Sequence, residues 1–361
     1  MSSIVRAVDV GRGNTKYTTG NVGSQISCAM FPSIAHATEP QRARAADTER
    51  DTVLVAVERL VYEVGPEIHL GAQPYNAQVL QHDRYTEAPE YLALILGALH
   101  YMQCPAIDLL VVGLPVASSK HSNVVSSLES RLAGPHALAD GRKVDVRAVK
   151  VLPQPAGAIM FVAKSQDRLE ALLAQKTLVI DPGHRTFDWL FCHGMRQVER
   201  RSNSLPRGMY DVLLAISEAI SANVGTQFRD FDAIDRALRG GPKPVIFQKE
   251  YDIGRHLKLA GKVAEQAVAE MLHYVGDASD ILNILLVGGG AFFYLKAVKK
   301  AFPRHRIEEV ADPVFANVRG FHLAGVELVR TGLAGRIGEP QHEPDLTNQS
   351  GVAAHGQPRV I

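Results

Sequence analysis

Two segments of the chain place an aspartate two residues before a glycine, at the end of an apolar run. The first is "AVDVGRGNTKY", with Asp9 and Gly11, and the second is "VIDPGHRTFDWL", with Asp181 and Gly183. Each apolar run predicts a strand, each glycine segment predicts a turn, and the residues that follow predict a returning strand. We therefore expect two β-hairpins with the same layout, one in each half of the chain.

Glycine turns of this kind can bind an anion, because a residue without a Cβ lets backbone N–H groups approach it closely. Two such turns that face each other could hold a triphosphate from both sides. Asp9 and Asp181 stand where a strand enters its turn, and carboxylates there suit a Mg²⁺ ion that keeps its waters. Lys16 could neutralise phosphate charge. The alternative is two ordinary β-hairpins, since Asp and Gly are common turn residues.

The first segment differs from the two common glycine-rich nucleotide motifs. A dinucleotide-binding loop needs three glycines and a helix directly after the strand, whereas "GRGNTK" has two glycines and runs on into strand-like sequence. The GxxxxGK[ST] phosphate loop does not occur in the sequence. Neither motif explains the paired hairpins.

A third glycine segment, "LLVGGGAFFYLKAV" at residues 285–298, predicts a buried strand, a bare stretch of backbone and then a helix. Exposed backbone at such a point admits a flat ligand, such as a purine with its ribose. The alternative is that the glycines only allow the helix to pack closely on the strand.

The elements around these segments follow an α/β pattern. In the first half we predict a helix at 89–102 with Pro89 in its first turn, a buried strand from about 107, a helix near 119–132, a strand near 143–151 and a helix from about Ala156. In the second half we predict helices near 208–223, 230–238 and 255–275, a short strand near 306–310 and a last helix near 314–331. Residues 39–50 predict an exposed loop, and residues 336–361 a mobile tail.

The bulk composition narrows the range of possible functions. The chain has 361 residues, 46% of them hydrophobic, which is enough for two domains. Its formal net charge is +1, so the composition does not indicate a basic surface for direct nucleic-acid binding. The three cysteines, Cys28, Cys104 and Cys192, fit reduced thiols in a cytoplasm. The start of the sequence lacks a signal peptide's apolar core, and no apolar run is long enough for a membrane span. We expect a cytoplasmic protein without a membrane partner.

The order and spacing of these segments resemble the actin superfamily. "DVGRGNTK" resembles its first phosphate loop, "DPGHRTFD" its second and "VGGGA" its adenosine motif. "VLPQPAGA" at residues 151–158 resembles the segment that connects the two domains. "PVFANVRGFHLAG" at 313–325 resembles the closing helix of plasmid-segregation actins. Within the superfamily the likeness is to the ParM/StbA branch, and particularly to protein D of PRTRC plasmid systems.

The resemblance implies an actin-like α/β fold, in which two duplicated ribonuclease-H-like domains surround a nucleotide cleft. Domain I would comprise residues 1–155 and be closed by a helix at 312–335, domain II would comprise 156–311, and 336–361 would be a disordered tail. It implies an ATPase that binds ATP with Mg²⁺, GTP remaining possible. It also implies head-to-tail filaments that segregate plasmid DNA through a DNA-binding adaptor protein.

The resemblance also assigns roles to single residues. Asp9 and Asp181 would organise Mg²⁺ through water, with Asp181 also counted as catalytic. Phosphate would be bound by two sets of turn residues, namely Gly11, Asn14 and Lys16 in the first turn and Gly183 and Thr186 in the second. The adenosine would be accommodated by Gly288, Gly289 and Gly290.

Two positions depart from the pattern of the ParM branch. Gln154 stands where ParM-like proteins usually carry Glu and actin carries Gln. A glutamine can orient the attacking water but cannot accept its proton, so we expect slow hydrolysis; alternatively Gln154 caps the following helix or faces solvent. His184 stands at the second of two paired glycines and is followed by Arg185. Either the bulky side chain there reshapes the pocket of the γ-phosphate, or Arg185 adds a phosphate contact. Trp189 and Cys192, on the following strand, are expected to be packing residues.

Other functions remain open beside the polymerising ATPase. A small-molecule kinase of the same superfamily, of the sugar or acetate type, would share the phosphate loops but needs a base, usually Asp, near the acceptor hydroxyl. A chaperone-type nucleotide switch would need a peptide-binding domain, for which the sequence after the closing helix leaves no room. The filament-forming ATPase is the function we expect from the sequence.

Overall fold

The structure is a computed structural model that describes residues 3–22, 25–39, 50–71, 85–138 and 140–332. The loop expected at 39–50 lies almost entirely outside these residues, and the tail expected at 336–361 lies wholly outside them. Within the described residues, no helix is both long and apolar enough to cross a membrane.

The first half of the chain is built on a mixed sheet of five strands, and it carries two smaller sheets. Its strands, in chain order, are β1 (Val5–Val10), β2 (Asn14–Val22), β3 (Gln25–Pro32), β4 (His36–Thr38), β5 (Val53–Val57), β6 (Leu60–Val64), β7 (Ala106–Ile107), β8 (Leu109–Leu114), β9 (Gly134–Ala137), β10 (Lys143–Val146) and β11 (Val149–Pro153). The main sheet has the order β11-β8-β1-β2-β3, in which β1–β2–β3 is an antiparallel meander and β8 lies parallel to both β1 and β11.

The second half is built on a six-stranded sheet, in which the first strands pair in the same pattern as in the first half. Its strands are β12 (Lys176–Pro182), β13 (Phe187–His193), β14 (Arg196–Gln197), β15 (Asn203–Leu205), β18 (Asn283–Leu286) and β19 (Ile307–Glu309), while β16 (Val245–Ile246) and β17 (Lys249–Glu250) form a separate hairpin. β12 pairs antiparallel with β13 and parallel with β18, as β1 pairs with β2 and β8. The mixed α/β, internally repeated architecture agrees with the predicted fold class.

The helices cover the two main sheets. They are α1 (Pro89–Met102), α2 (Val116–Ser119), α3 (Ser122–Leu132), α4 (Gln154–Ser165), α5 (Leu169–Ala174), α6 (Met209–Val224), α7 (Phe231–Leu238), α8 (Leu257–Val275), α9 (Ala291–Ala301) and α10 (Ala316–Arg330). Short 3₁₀ turns occur at Ile68–Leu70, Tyr85–Glu87, Glu199–Arg201 and Ile253–His256. The helix predicted near 119–132 is present as α3 but begins at Ser122, because the extended backbone of His121 separates it from the short helix α2.

The single strand predicted near 143–151 is wrong. Residues 143–146 pair with β7 and β9, whereas residues 149–153 pair with β8 in the main sheet. The buried side chains change phase between them, from Val144 and Val146 to Val149 and Val151. Since a strand has a side-chain period of two, this slip of one residue marks the change of sheet.

Two helices, α4 and α10, pack against each other at the junction of the halves of the chain. α10 packs on the first sheet, where Val318 and Phe321 join the core of β1 and β8, and α4 packs on the second sheet, where Ile159 joins the core of β12 and β18. The helices touch backbone to backbone: a Cβ on Gly320 would lie 1.7 Å from the carbonyl oxygen of Gly157. α10 therefore covers the first half, as a closing helix would, while the domain boundaries at 155/156 and 311/312 stay a prediction.

Candidate functional site

The two predicted hairpins are present and share one register. In the first, Asp9 at the end of β1 pairs with Lys16 on β2. In the second, Asp181 on β12 pairs with Asp188 on β13. Both pairs are separated by seven residues, so Asp188 occupies the place in the second hairpin that Lys16 occupies in the first.

Each turn is closed by its own glycine. The N–H of Gly11 donates to the carbonyl oxygen of Asn14 at 3.1 Å, and the N–H of Gly183 donates to that of Thr186 at 2.8 Å. A Cβ on either glycine would lie 3.0 or 3.1 Å from the same oxygen. Both glycines therefore permit a tight turn, and their own amides are engaged in closing it, so a phosphate would have to bind other amides of the turns.

The tips of the two turns meet. A Cβ on Gly13 would lie 2.9 Å from the Cβ of His184, so these turns face each other across the junction of the halves. His184 is held there by its backbone carbonyl, which accepts from the N–H of Tyr210 at 2.7 Å. Burial and the neighbouring charge of Arg185 lower the pKa of His184 to about 4, so the imidazole is neutral at pH 7.

Asp9 lies at the centre of a buried polar cluster. Its Oδ2 accepts from Lys16 Nζ at 3.0 Å, and its Oδ1 accepts from Gln154 Nε2 at 2.7 Å. Burial disfavours the charge of Lys16, but the carboxylates of Asp9 and Asp181 outweigh that effect and raise the pKa of Lys16. Lys16 therefore remains a cation between the two hairpins.

Gln154 is buried and belongs to this cluster. It is the first residue of α4, which begins two residues before the predicted start, and Pro153 occupies the N-cap position. The Gln154 side chain donates to Asp9 rather than to the helix. Only 8% of its surface is exposed, so the alternative that it faces solvent is wrong. With Nε2 committed to Asp9, its amide oxygen remains as a hydrogen-bond acceptor.

Asp181 is held from the opposite side. Its Oδ2 accepts from Asn317 Nδ2 at 2.6 Å, and Asn317 lies at the start of α10. A Cβ on Gly288 would fall 2.0 Å from Asp181 Oδ1, and Gly288 has a φ of +83°, so only glycine suits this position. Burial, and then the charge of Asp188, raise the pKa of Asp181 to about 7.

Asp188 is a third buried carboxylate, for which no role was predicted from the sequence. Its Oδ1 accepts from the backbone N–H of Val116 at 2.9 Å and from the hydroxyl of Ser204. Thr186 adds a further side-chain hydrogen bond. Burial raises the pKa of Asp188 despite these donors. Because Val116 begins α2 of the first half, Asp188 ties the two halves together beside the turns.

The charge balance of this cluster suits a divalent cation. Asp9, Asp181 and Asp188 are between 1% and 6% exposed. In addition to burial, the charges of Asp188 and Asp9 help to raise the pKa of Asp181, that of Asp9 helps to raise the pKa of Asp188, and Lys16 is the cation bonded to Asp9 among them. Within the described residues, no group of three or more His, Cys, Asp or Glu side chains is arranged to hold an ion directly. Oxygen donors in this arrangement fit Mg²⁺ that keeps water ligands and gains others from a phosphate.

The three glycines after β18 differ in their surroundings. Gly288 and Gly290 pack against the second hairpin, since a Cβ on Gly290 would lie 2.8 Å from both Met209 Cγ and the Pro182 carbonyl oxygen. Gly289 has no heavy atom within 4 Å of the place a Cβ would take, apart from its own chain neighbours. Close packing thus accounts for two of the glycines, and Gly289 alone opens onto free space.

Trp189 and Cys192 are packing residues, as predicted. Trp189 is fully buried, and its Nε1 donates to the carbonyl oxygen of Arg201 at 3.1 Å. Burial raises the pKa of the Cys192 thiol to about 12, which keeps it protonated. Neither side chain contributes a polar group to the cluster around Asp9 and Asp181.

Both halves of the chain match actin-like family models. Residues 7–157 match the N-terminal domain of actin-like proteins, and residues 179–300 match the C-terminal domain of the archaeal MreB-like actin homologues. Among curated proteins, none matches the chain.

Solved structures share the fold at low sequence identity. An archaeal actin homologue, Ta0583, in complex with ADP is 22% identical with a TM-score of 0.68, and the match covers 89% of this chain and 98% of that one. The apo ParM of pSK41 is 18% identical with a TM-score of 0.66, over 92% and 99% of the two chains. The ParM of a 15-stranded filament from Clostridium botulinum is 20% identical with a TM-score of 0.69, over 91% and 100%.

Proposed function

Since both halves of the chain match actin-like domains, the chain is an actin-like protein, and we propose that it is a cytoplasmic ATPase that forms filaments and segregates plasmid DNA through an adaptor. The observation that carries the proposal is the buried cluster of Asp9, Asp181 and Lys16 between two facing glycine turns. The ADP complex of one structural relative and the filament of another support nucleotide binding and self-assembly.

In this proposal the nucleotide's phosphates lie between the two turns. Lys16, whose pKa is raised, neutralises phosphate charge, and the first turn also contributes Asn14. Asp9 and Asp181 hold the water ligands of Mg²⁺, which when bound neutralises the charge on the phosphate oxygens. Thr186, in the second turn, binds phosphate from the opposite side. The open backbone at Gly289 accommodates the adenosine.

Gln154 is placed to position the attacking water. Its Nε2 is fixed on Asp9, and this bond directs the remaining amide oxygen as an acceptor for a water proton. Because a neutral amide does not take up that proton, Gln154 orients the water without acting as a base, and turnover is slow. Asp9 thus both supports the metal and orders Gln154.

Nucleotide binding is coupled to assembly through the junction of the halves. A triphosphate that contacts both turns favours the arrangement in which they are close, since only there does it make both sets of contacts. The crossing of α4 and α10 at Gly157 and Gly320 is the pivot about which the halves can move. A fixed arrangement presents the same two end surfaces on every copy, and a head-to-tail contact between them propagates as a helix.

The test is sedimentation of the full chain with Mg²⁺ and ATP, GTP, ADP or a non-hydrolysable ATP analogue, followed by negative-stain microscopy. We expect filaments with ATP and with the analogue, and fewer with ADP, because loss of the terminal phosphate removes contacts between the halves. A protein that remains monomeric with ATP at high concentration, and that consumes ATP only when a small acceptor is added, would instead be a small-molecule kinase. An added adaptor should then have no effect on sedimentation.

A further inference from the structure

The first turn carries an arginine at its tip, Arg12, between Gly11 and Gly13. Its guanidinium lies over the ring of Tyr85, 5.0 Å from the ring centroid. Its Nε is buried and makes no hydrogen bond within the described residues. A buried donor without an acceptor is costly, so this side chain is suited to a ligand that supplies one.

Arg12 lies near the buried carboxylates, because its charge and theirs both act on the hydroxyl of Tyr85. Tyr85 is 2% exposed, and burial raises the pKa of its hydroxyl. Among charged groups, Arg12 opposes that rise, while Asp9 and Asp188 reinforce it. The guanidinium is therefore near the acidic cluster, although Lys16 is the cation that is bonded to Asp9.

The neighbour of Arg12, Gly13, is the residue that meets His184 of the opposite turn. His184 is neutral at pH 7, so it offers no charge to a phosphate there. A phosphate that touches both turns, beside Gln154 and the carboxylates, is the terminal phosphate of a triphosphate in our proposed function. Arg12 and Arg185 are both cations at this junction without a bond to a carboxylate, and of the two Arg12 is the one with a buried donor that makes no hydrogen bond within the described residues.

We propose that Arg12 binds the terminal phosphate and gives the protein its preference for nucleoside triphosphate over diphosphate. The inference rests on the proposed function. A guanidinium matches phosphate oxygens with a planar fork of N–H donors, and its charge opposes the negative charge of the transferring group. Tyr85 holds the side chain beside the junction when no terminal phosphate is present, and the phosphate supplies the acceptor that Nε lacks.

The experiment measures affinity by calorimetry, with Mg²⁺, for ADP and for a non-hydrolysable ATP analogue. R12A should weaken binding of the analogue about tenfold to hundredfold, the range for lost hydrogen bonds to a charged group. Its affinity for ADP should change less than about twofold, since ADP has no terminal phosphate to lose. R12K, which keeps the charge but not the fork, should fall between the wild type and R12A, and it keeps the test available if R12A does not fold.

R255A is the matched control, because Arg255 also lies over a tyrosine ring, that of Tyr251, but is exposed and distant in sequence from both turns. It should leave both affinities unchanged. Wild-type preference for the analogue in folded R12A and R12K would overturn the inference and leave the proposed function standing. Equal losses for ADP and the analogue would also overturn it. A wild-type protein that binds neither ligand would refute the proposed function itself.

Discussion

Asp181→Asn should stabilise the nucleotide-free protein at alkaline pH. Asp181 is buried, and burial together with Asp188 raises its pKa from 3.8 to about 7. Above that pH the nucleotide-free folded protein must hold an ionised carboxylate next to another carboxylate. Asparagine has the same shape and no charge, and its oxygen can still accept from Asn317 Nδ2.

The direction in which stability changes with pH follows from the number of protons that the folded and unfolded states bind. In the unfolded chain the carboxyl ionises at its ordinary value of 3.8, whereas in the folded protein it keeps its proton up to about pH 7. Between these values the folded state binds more protons, so stability falls as pH rises through this window and is constant above it. From pH 5 to pH 7 the loss is at most about 2.7 kcal/mol, at about 1.36 kcal/mol per pH unit. We expect about half of it, since buried sites respond as media of moderate dielectric constant.

Urea unfolding in the presence of a chelator, at pH 5 and pH 8, measures this effect. The free energy of unfolding of D181N relative to wild type should rise by about 1 to 2 kcal/mol between the two pH values. D280N is the control with the opposite sign: hydrogen bonds from Arg201 lower the pKa of Asp280, so its contribution is complete above pH 4 and should not vary between pH 5 and pH 8. An equal D181N effect at both pH values would refute the reasoning.

The remaining predictions concern catalysis and the glycine segment. Asp181→Ala should abolish Mg²⁺-dependent hydrolysis in a folded protein, and wild-type turnover would exclude the metal role. Gln154→Ala should slow single-turnover hydrolysis about tenfold or more and leave affinity nearly unchanged, because positioning of water acts in the transition state; a loss confined to affinity would give it another role. Gly288→Ala should lower Tm, at a cost of at least about 1 kcal/mol for its positive φ, whereas Gly289→Ala should keep Tm and weaken nucleotide binding. Equal Tm values would contradict this difference.

The paired hairpins were predictable from the sequence because their signals are local. An apolar run, an aspartate and a glycine turn determine strand, corner and return within about ten residues, and the pairing of Asp9 with Lys16 follows from that geometry. The change of sheet between β10 and β11 was not predictable in the same way. Residues 143–153 contain no glycine before Pro153, and only the slip in buried phase separates the two strands.

The site residues that were not predicted show a second limit of inference from the sequence. Asp188 had a usable signal, since it follows Asp181 by the same seven residues that separate Lys16 from Asp9. Asn317 had none, because it reaches Asp181 across 136 residues of sequence, through the placement of α10 between the halves. Gln154 could be assigned to the connecting segment, but its bond to Asp9 depends on where α4 begins. Contacts made by separate elements require the packed structure.

The exchange of Lys16 for Asp188 at matching positions explains why a duplicated hairpin forms an asymmetric site. Two lysines would remove the carboxylate that pairs with Asp181 across the second hairpin, and two acids would leave Asp9 without its cation. With one of each, the first hairpin carries a carboxylate paired with Lys16, and the second carries two carboxylates whose pKa values are raised. In the proposed function Lys16 of the first hairpin neutralises phosphate, while the carboxylates of both hairpins, two of them in the second, attract Mg²⁺. Because Asp188 also accepts from the amide of Val116, the acidic hairpin is bonded to the opposite half. In the proposed function, a bound Mg²⁺ would therefore bear directly on the contact between the halves.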